Sequence, residues 1–157
     1  MRFLLILTLF SLGMVILFSS CDSNRITDDF HTIPHARWDK DSVQIFSFDI
    51  LRRRQNHNIY FNVRNDQNYG FSNLWLFVTL NTPTKESKCD TIQLVLAESN
   101  GKWLGKGFSG TYTNRLIYMR NVFFPEPGKY SVRIQHGMRP DILEGITAIG
   151  IRVEKVY

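Results

Sequence analysis

Apolar residues in this chain recur at every second position, in short runs broken by turn-forming clusters, and this pattern limits the fold more than any single motif. In "HNIYFNVRN", Ile59, Phe61 and Val63 share one phase while Asn58, Asn62 and Arg64 occupy the other. That period of two belongs to a strand with one face buried. "DTIQLVLA" repeats it through Ile92, Leu94 and Leu96. "KYSVRIQH" does so through Tyr130, Val132, Ile134 and His136, and "ITAIGIRVEK" through Ile149, Ile151 and Val153, with Arg152 and Glu154 on the outward phase.

Three further runs read as strands with less regular phase. "SVQIFSFDIL" changes phase between Ile45 and Phe46, which predicts a bulge or burial on both faces. "NLWLFVTL" is apolar on both phases, with Trp75 and Phe77 opposite Leu74, Leu76 and Val78, and reads as a central strand with Trp75 buried. "RLIYMRNVFF" follows the longest interruption, "ESNGKWLGKGFSGTYTN". No window carries a helical stripe longer than two turns. Seven or eight short strands with closely spaced turns predict an all-β domain, an antiparallel β-sandwich or jelly roll, with a partly closed barrel as the alternative.

The N-terminus is different. Behind Met1 and Arg2, residues 3–18 are apolar except Thr8, Ser11 and Gly13, and Ser19 and Ser20 lead into Cys21. A spanning helix needs ~20 apolar residues and a signal-peptide core about 7–15, so the run lies nearer the second. "FSSC" resembles a bacterial lipobox, although the commonest form has leucine where Phe18 stands. This reading makes residues 1–20 a lipoprotein signal peptide, cut before Cys21, whose thiol carries a diacylglyceryl anchor; an uncleaved anchor or an ordinary secretory signal is the alternative. Two acyl chains suffice for stable attachment. Residues 21–37, polar and without sustained period, read as a lipidated tether, and residues 38–157 as one β-sandwich domain, a usual size for a single core. With Cys21 acylated, Cys89 has no partner for a disulfide.

Chemical motifs are sparse. "GKGFSG" matches the spacing of a dinucleotide fingerprint at Gly105, Gly107 and Gly110, but a turn and strand follow where that motif needs a helix, so no nucleotide is expected. His31 and His35 are four apart, the helical spacing of a metal pair, yet Pro34 breaks such a helix and the sequence offers no nearby third ligand beyond Asp28, Asp29 and Asp39, which read as exposed; no metal and no cofactor are expected. His136 lies on an apolar phase and reads as a hydrogen-bonded core histidine, and His57 as a solvated strand start. No G-x-S-x-G elbow is present, and no catalytic residue is assigned. Arg52, Arg53 and Arg54 add to a formal charge of +5, but export argues against a nucleic-acid partner and leaves a solvated hairpin end or membrane headgroups.

Taken in order, "SCDSNRITDDFHTIP", "WDKDSV", "NVRNDQNYGFSNLWLFV", "GKWLGKGFSG", "FPEPGKYSVRIQHGMRP" and "LEGITAIGIRVEK" resemble the gliding motility lipoprotein GldH family of the Bacteroidetes across nearly the whole chain. Ala148 departs from the acidic residue usual there. The resemblance implies a cell-envelope lipoprotein, most often of the outer membrane, associated with the gliding and type IX secretion machinery. It implies no enzyme activity, and it places the acyl group on Cys21. A non-catalytic interaction module is the leading expectation, with Trp103, Met138 and Arg139 as candidate partner contacts, because Trp and Arg are enriched at interface hot spots. The rival is a carbohydrate-binding or glycan-processing domain stacking sugars on Trp38, Trp75 or Trp103.

Overall fold

The computed structural model describes residues 22–51 and 55–156; residues 1–20, read above as a signal peptide, Cys21 and the triple arginine 52–54 lie outside the described residues. In chain order the strands are β1 (Arg25–Thr32), β2 (Arg37–Asp39), β3 (Gln44–Ile50), β4 (Asn56–Asp66), β5 (Asn73–Asn81), β6 (Ser87–Val95), β7 (Lys106–Phe108), β8 (Thr111–Phe123), β9 (Gly128–His136), β10 (Ile142–Glu144) and β11 (Ile146–Lys155). One sheet has the order β1-β11-β4-β8-β7, a second β3-β9-β5-β6, and β2 and β10 form a small ribbon. Every strand pairing is antiparallel. The inner faces of the two large sheets meet in one core that contains Phe46, Phe48, Leu74, Leu76 and Ile134 from one and Ile59, Phe61, Ile149 and Ile151 from the other.

The all-β expectation holds, and each of the seven runs is a strand or its main part. Four more strands exist among the described residues. β2, β7 and β10 have three residues each, too short for a period to register. β1 overturns the tether reading of residues 21–37: from Arg25 the chain is the edge strand of the larger sheet, paired with β11 as far as Thr32. Its sequence, "RITDDFHT", does not alternate because β11 holds it by main-chain bonds and by ion pairs to Asp28. The folded unit therefore starts near Arg25 instead of Trp38, and Trp38 itself is buried, its indole N–H donating to the Ser42 carbonyl at 2.8 Å.

Other expectations need correction. β3 has no bulge; its register with β9 runs unbroken from Gln44↔Ile134 to Ile50↔Gly128, and Ile45 simply faces outward. His57 is buried against Phe124, with ring centroids 5.3 Å apart, because β4 carries it under the β8–β9 connection. His136 behaves as expected of a core histidine, its Nε2 donating to the Trp38 carbonyl at 3.1 Å. The glycines of "GKGFSG" serve a hairpin: Phe108 pairs Thr111, and the two intervening residues, Ser109 and Gly110, both have positive φ, the geometry of a tight two-residue turn. At Gly145, with φ +86, a Cβ would lie 2.2 Å from the Tyr69 backbone nitrogen, so only glycine fits.

Candidate functional site

β5 lies between β9 and β6, so its inward residues Leu74, Leu76 and Val78 fill the core while Trp75 and Phe77 stand on the outer face of the sheet. Nothing covers that face among the described residues: Trp75 is 38% exposed and Phe77 50%, which corrects the expectation that Trp75 is buried. Two residues apart on one strand face, the rings sit ~7 Å apart along the strand. Phe71, 40% exposed, extends the aromatic surface beyond the start of β5.

The segment after β9 shapes the rim. Gly137 donates its N–H to the Trp75 carbonyl at 2.7 Å, and Met138 Sδ accepts the Trp75 N–H at 3.3 Å, so the turn "HGMRP" is clipped alongside β5. A Cβ on Gly137 would stand 3.1 Å from the Phe77 ring; its absence leaves room for the ring edge. The resulting open cleft, about 440 Å³, is bounded by Phe71, Trp75, Phe77, Met138 and Arg139. Arg139 is the charged side chain of that lining, which contains no carboxylate, imidazole or thiol. Its chemistry is apolar contact and aromatic stacking, with one guanidinium at the edge.

The structure brings Met138 and Arg139 together at this shelf but leaves Trp103 elsewhere. Trp103 is half-buried behind Tyr69 and Tyr112, with ring centroids at 6.3 and 5.7 Å. Of the three tryptophans named for sugar stacking, Trp75 is the one on the shelf. Phe71 and Phe77 were not among the candidate contacts, although "NLWLFVTL" carries the signal: an antiparallel strand apolar on both phases either is covered twice or displays a patch. His31 hydrogen-bonds Gln44 through Nδ1 at 3.0 Å and stacks on Phe46, while His35 sits in a turn with φ 55. Cys89 is a free, exposed residue of β6.

A second polar constellation lies beside the proposed acylation position. Arg152 lies on the outward phase, as read, but is only 8% exposed. Its guanidinium donates to Asp28 at 2.9 Å, to Glu154 at 3.0 Å and to Asp22, the residue after Cys21. Burial alone would lower the Arg152 pKa, but the three carboxylates outweigh it and hold it above its ordinary value. The hydrogen bond from Arg152 in turn keeps the Asp22 carboxyl below its usual range. Tyr60 donates to Glu154 at 2.7 Å and Asn62 to Asp28 at 3.0 Å, completing the cluster.

Comparison with known proteins follows the same boundaries. The family model described as "GldH lipoprotein" matches residues 25–153, which is the folded unit from β1 into β11. A protein of Christiangramia forsetii named gliding motility lipoprotein GldH homolog is 39% identical over 148 residues, covering 90% of each chain. The gliding motility lipoprotein GldH of Flavobacterium johnsoniae is 36% identical over 151 residues, covering 92% of each. Solved structures superpose loosely. The infectious bursal disease virus VP2 subviral particle has a TM-score of 0.35 at 17% identity, over 87% of this chain and 34% of that one. Dimeric latent PorU from Porphyromonas gingivalis has a TM-score of 0.35 at 9% identity, over 87% of this chain and 14% of that one. On the family match and the two full-length relatives, the chain belongs to the GldH lipoprotein family.

Proposed function

We propose that this lipoprotein is a non-catalytic docking module of the gliding and type IX secretion apparatus, held at the outer membrane by a diacylglyceryl group on Cys21. The aromatic shelf is the surface that engages an envelope protein. The observation that carries this reading is the pairing of exposed Trp75 and Phe77 with a rim of Met138 and Arg139 and no acid, base or nucleophile in the lining. Aromatic, Met and Arg side chains are those enriched at protein interfaces. A fitting partner segment offers apolar side chains to the rings and a carboxylate to Arg139.

The same rings could stack on a sugar, so a glycan-binding reading stands second. Sugar hydroxyls call for several planar polar side chains around the stacking ring, and the shelf offers Asn73, Thr91 and Arg139. The lining has no carboxylate to bridge neighbouring sugar hydroxyls, and for that reason the protein partner stands first.

A photo-crosslinking amino acid at Thr91, on the shelf floor, tests the proposal in intact cells. A discrete crosslinked envelope protein is expected, lost on Trp75→Ala and on Cys21→Ala. Crosslinks that survive Trp75→Ala, or none at all while a glycan array is bound, would sink it.

A further inference from the structure

We infer that the end of the sandwich from which Asp22 emerges lies flush on a lipid bilayer, with Leu51 and Phe123 in the interface and Arg25, Lys129 and Lys155 among the headgroups. The inference rests on the acylation of Cys21 proposed above, and goes beyond it by fixing how the domain stands on its membrane.

The first support is the length of free chain. Asp22 is already bound to the buried Arg152, the Arg25 N–H donates to the Asp22 carbonyl at 3.3 Å, and the Lys155 N–H donates to the Asn24 carbonyl at 2.8 Å. Consecutive Cα atoms are ~3.8 Å apart, so a single peptide link joins the proposed acylation position to the anchored Asp22, whereas a free tether through residue 37 would reach ~50 Å. No slack separates lipid from fold.

The second support is what shares that end. The pairings Ile50↔Gly128, Asn56↔Phe123 and His57↔Lys155 place the end of β3, the start of β4, the end of β8, the start of β9 and the end of β11 together with the start of β1. Leu51 is 86% exposed there and Phe123 51%. Arg25 and Lys129 are exposed and Lys155 half-buried, while Asp22 and Glu154 are engaged by Arg152. Asp49, Glu126 and, in the β5–β6 connection beside Gly128, Glu86 with Lys85 also lie near this end. Long cationic side chains can lay their stems along an apolar surface while the charged heads stay with phosphates. An open cleft of about 560 Å³, bounded by Ile26, Leu51 and Lys155, gives headgroups room to enter.

The test uses the full lipidated chain in a Cys89→Ser background, reconstituted in vesicles of phosphatidylethanolamine and phosphatidylglycerol doped with a headgroup spin-labelled lipid. An environment-sensitive dye is placed on Gln55→Cys, at the proposed contact end, or on Asn100→Cys, in the connection between β6 and β7. The expected result is several-fold stronger quenching and a blue shift at position 55, both lost when a flexible Gly/Ser insert of about a dozen residues separates Cys21 from Asp22. Equal quenching at the two positions would overturn the inference. So would a preference that survives the insert, because the short connection would then not be its cause. A chain whose mass shows no diacylglyceryl group refutes the acylation reading instead, and the two failures are read by separate measurements.

Discussion

Replacing Arg152 by methionine tests the largest polar investment in the fold. Methionine keeps much of the aliphatic stem and removes the guanidinium, leaving Asp28 and Glu154, whose side chains are 16% and 23% exposed, without their shared cation. Breaking a fully buried ion pair costs about 3–5 kcal/mol, because a charge is left unpaired in a low-dielectric site. Arg115 remains 3.4 Å from Asp28, and both acids keep some water, so the expected loss is about 2–3 kcal/mol. With urea m-values of about 1–3 kcal/mol/M, the unfolding midpoint of an unacylated Cys21→Ala chain should fall by roughly 1–2 M. The pH dependence gives the sharper reading. Burial pushes the Glu154 carboxyl up, but the hydrogen bonds from Tyr60 and Arg152 outweigh it and hold it below its ordinary 4.5. The Arg152 hydrogen bond likewise holds Asp22 below 3.8. Groups with depressed folded-state pKa values contribute stability that is present above the unfolded value and is lost as pH falls through the folded one. Arg152→Met lacks most of that contribution, so the gap between wild type and variant should narrow below about pH 4. A gap under ~0.5 kcal/mol at neutral pH, or one that stays constant into the acid range, would refute the reasoning.

Phe77→Ser removes a half-exposed ring and should change stability by less than about 1 kcal/mol while lowering the in-cell crosslink yield from Thr91; urea midpoint and crosslink yield are read on the same variant. Gly145→Ala forces a Cβ to within 2.2 Å of the Tyr69 backbone at φ +86, and should cost about 3 kcal/mol or more, seen as a large drop in urea midpoint. Burial holds the His136 imidazole below its ordinary 6.5, so the unfolded chain binds the proton first and wild-type stability declines as pH falls below 6.5. His136→Gln should flatten that decline only in part, since burial lowers His57 as well; a slope unchanged between about pH 7 and pH 5 would count against the assignment.

How far the sequence could be read depended on what holds each strand. Where the core holds it, as at Ile59, Phe61 and Val63 or at Val132 and Ile134, the apolar period is visible and the strand follows. β1 was hidden because much of what holds it is main-chain bonding to β11 and the Asp28–Arg152 pair, while Ile26, Phe30 and His31 pack without a regular apolar period. The burial of His57 and of Arg152, whose outward phase was right, went unread for a related reason. Phase in a strand tells which face a residue is on, while its exposure depends on what a distant segment lays over that face: Phe124 for the first, Asp22 and Asp28 for the second. The shelf was legible in part, through Met138 and Arg139. Trp75 and Phe77 needed the knowledge that β5 has strands on both sides and no layer on its outer face. Trp103 drew notice as a large residue in a long loop, but that loop folds back, with Leu104 N–H bonding the Leu96 carbonyl, and tucks the indole against Tyr69.

The polar cluster also explains how an edge strand with so little apolar pattern keeps its register. A slip of one residue would turn Asp28 and Phe30 from the outer face of the sheet to the inner one. On the outer face Asp28 meets Arg152, and Phe30 lies opposite Gly150, where a Cβ would stand 2.9 Å from its ring, with the Arg64 guanidinium 4.3 Å from the ring centroid. These contacts tie the middle of β1 to a strand that is itself buried through Ile149, Ile151 and Val153. β1 is also the strand joined most directly to Cys21. The shelf lies toward the other end of the second sheet: from Gly128 to Gly137, beside Trp75, an extended chain covers about 30 Å. A partner pulling on the shelf against an acyl anchor would therefore load β1 along its axis. The main-chain bonds to β11 would then share the force, together with the Arg152 ion pairs, instead of opening one after another.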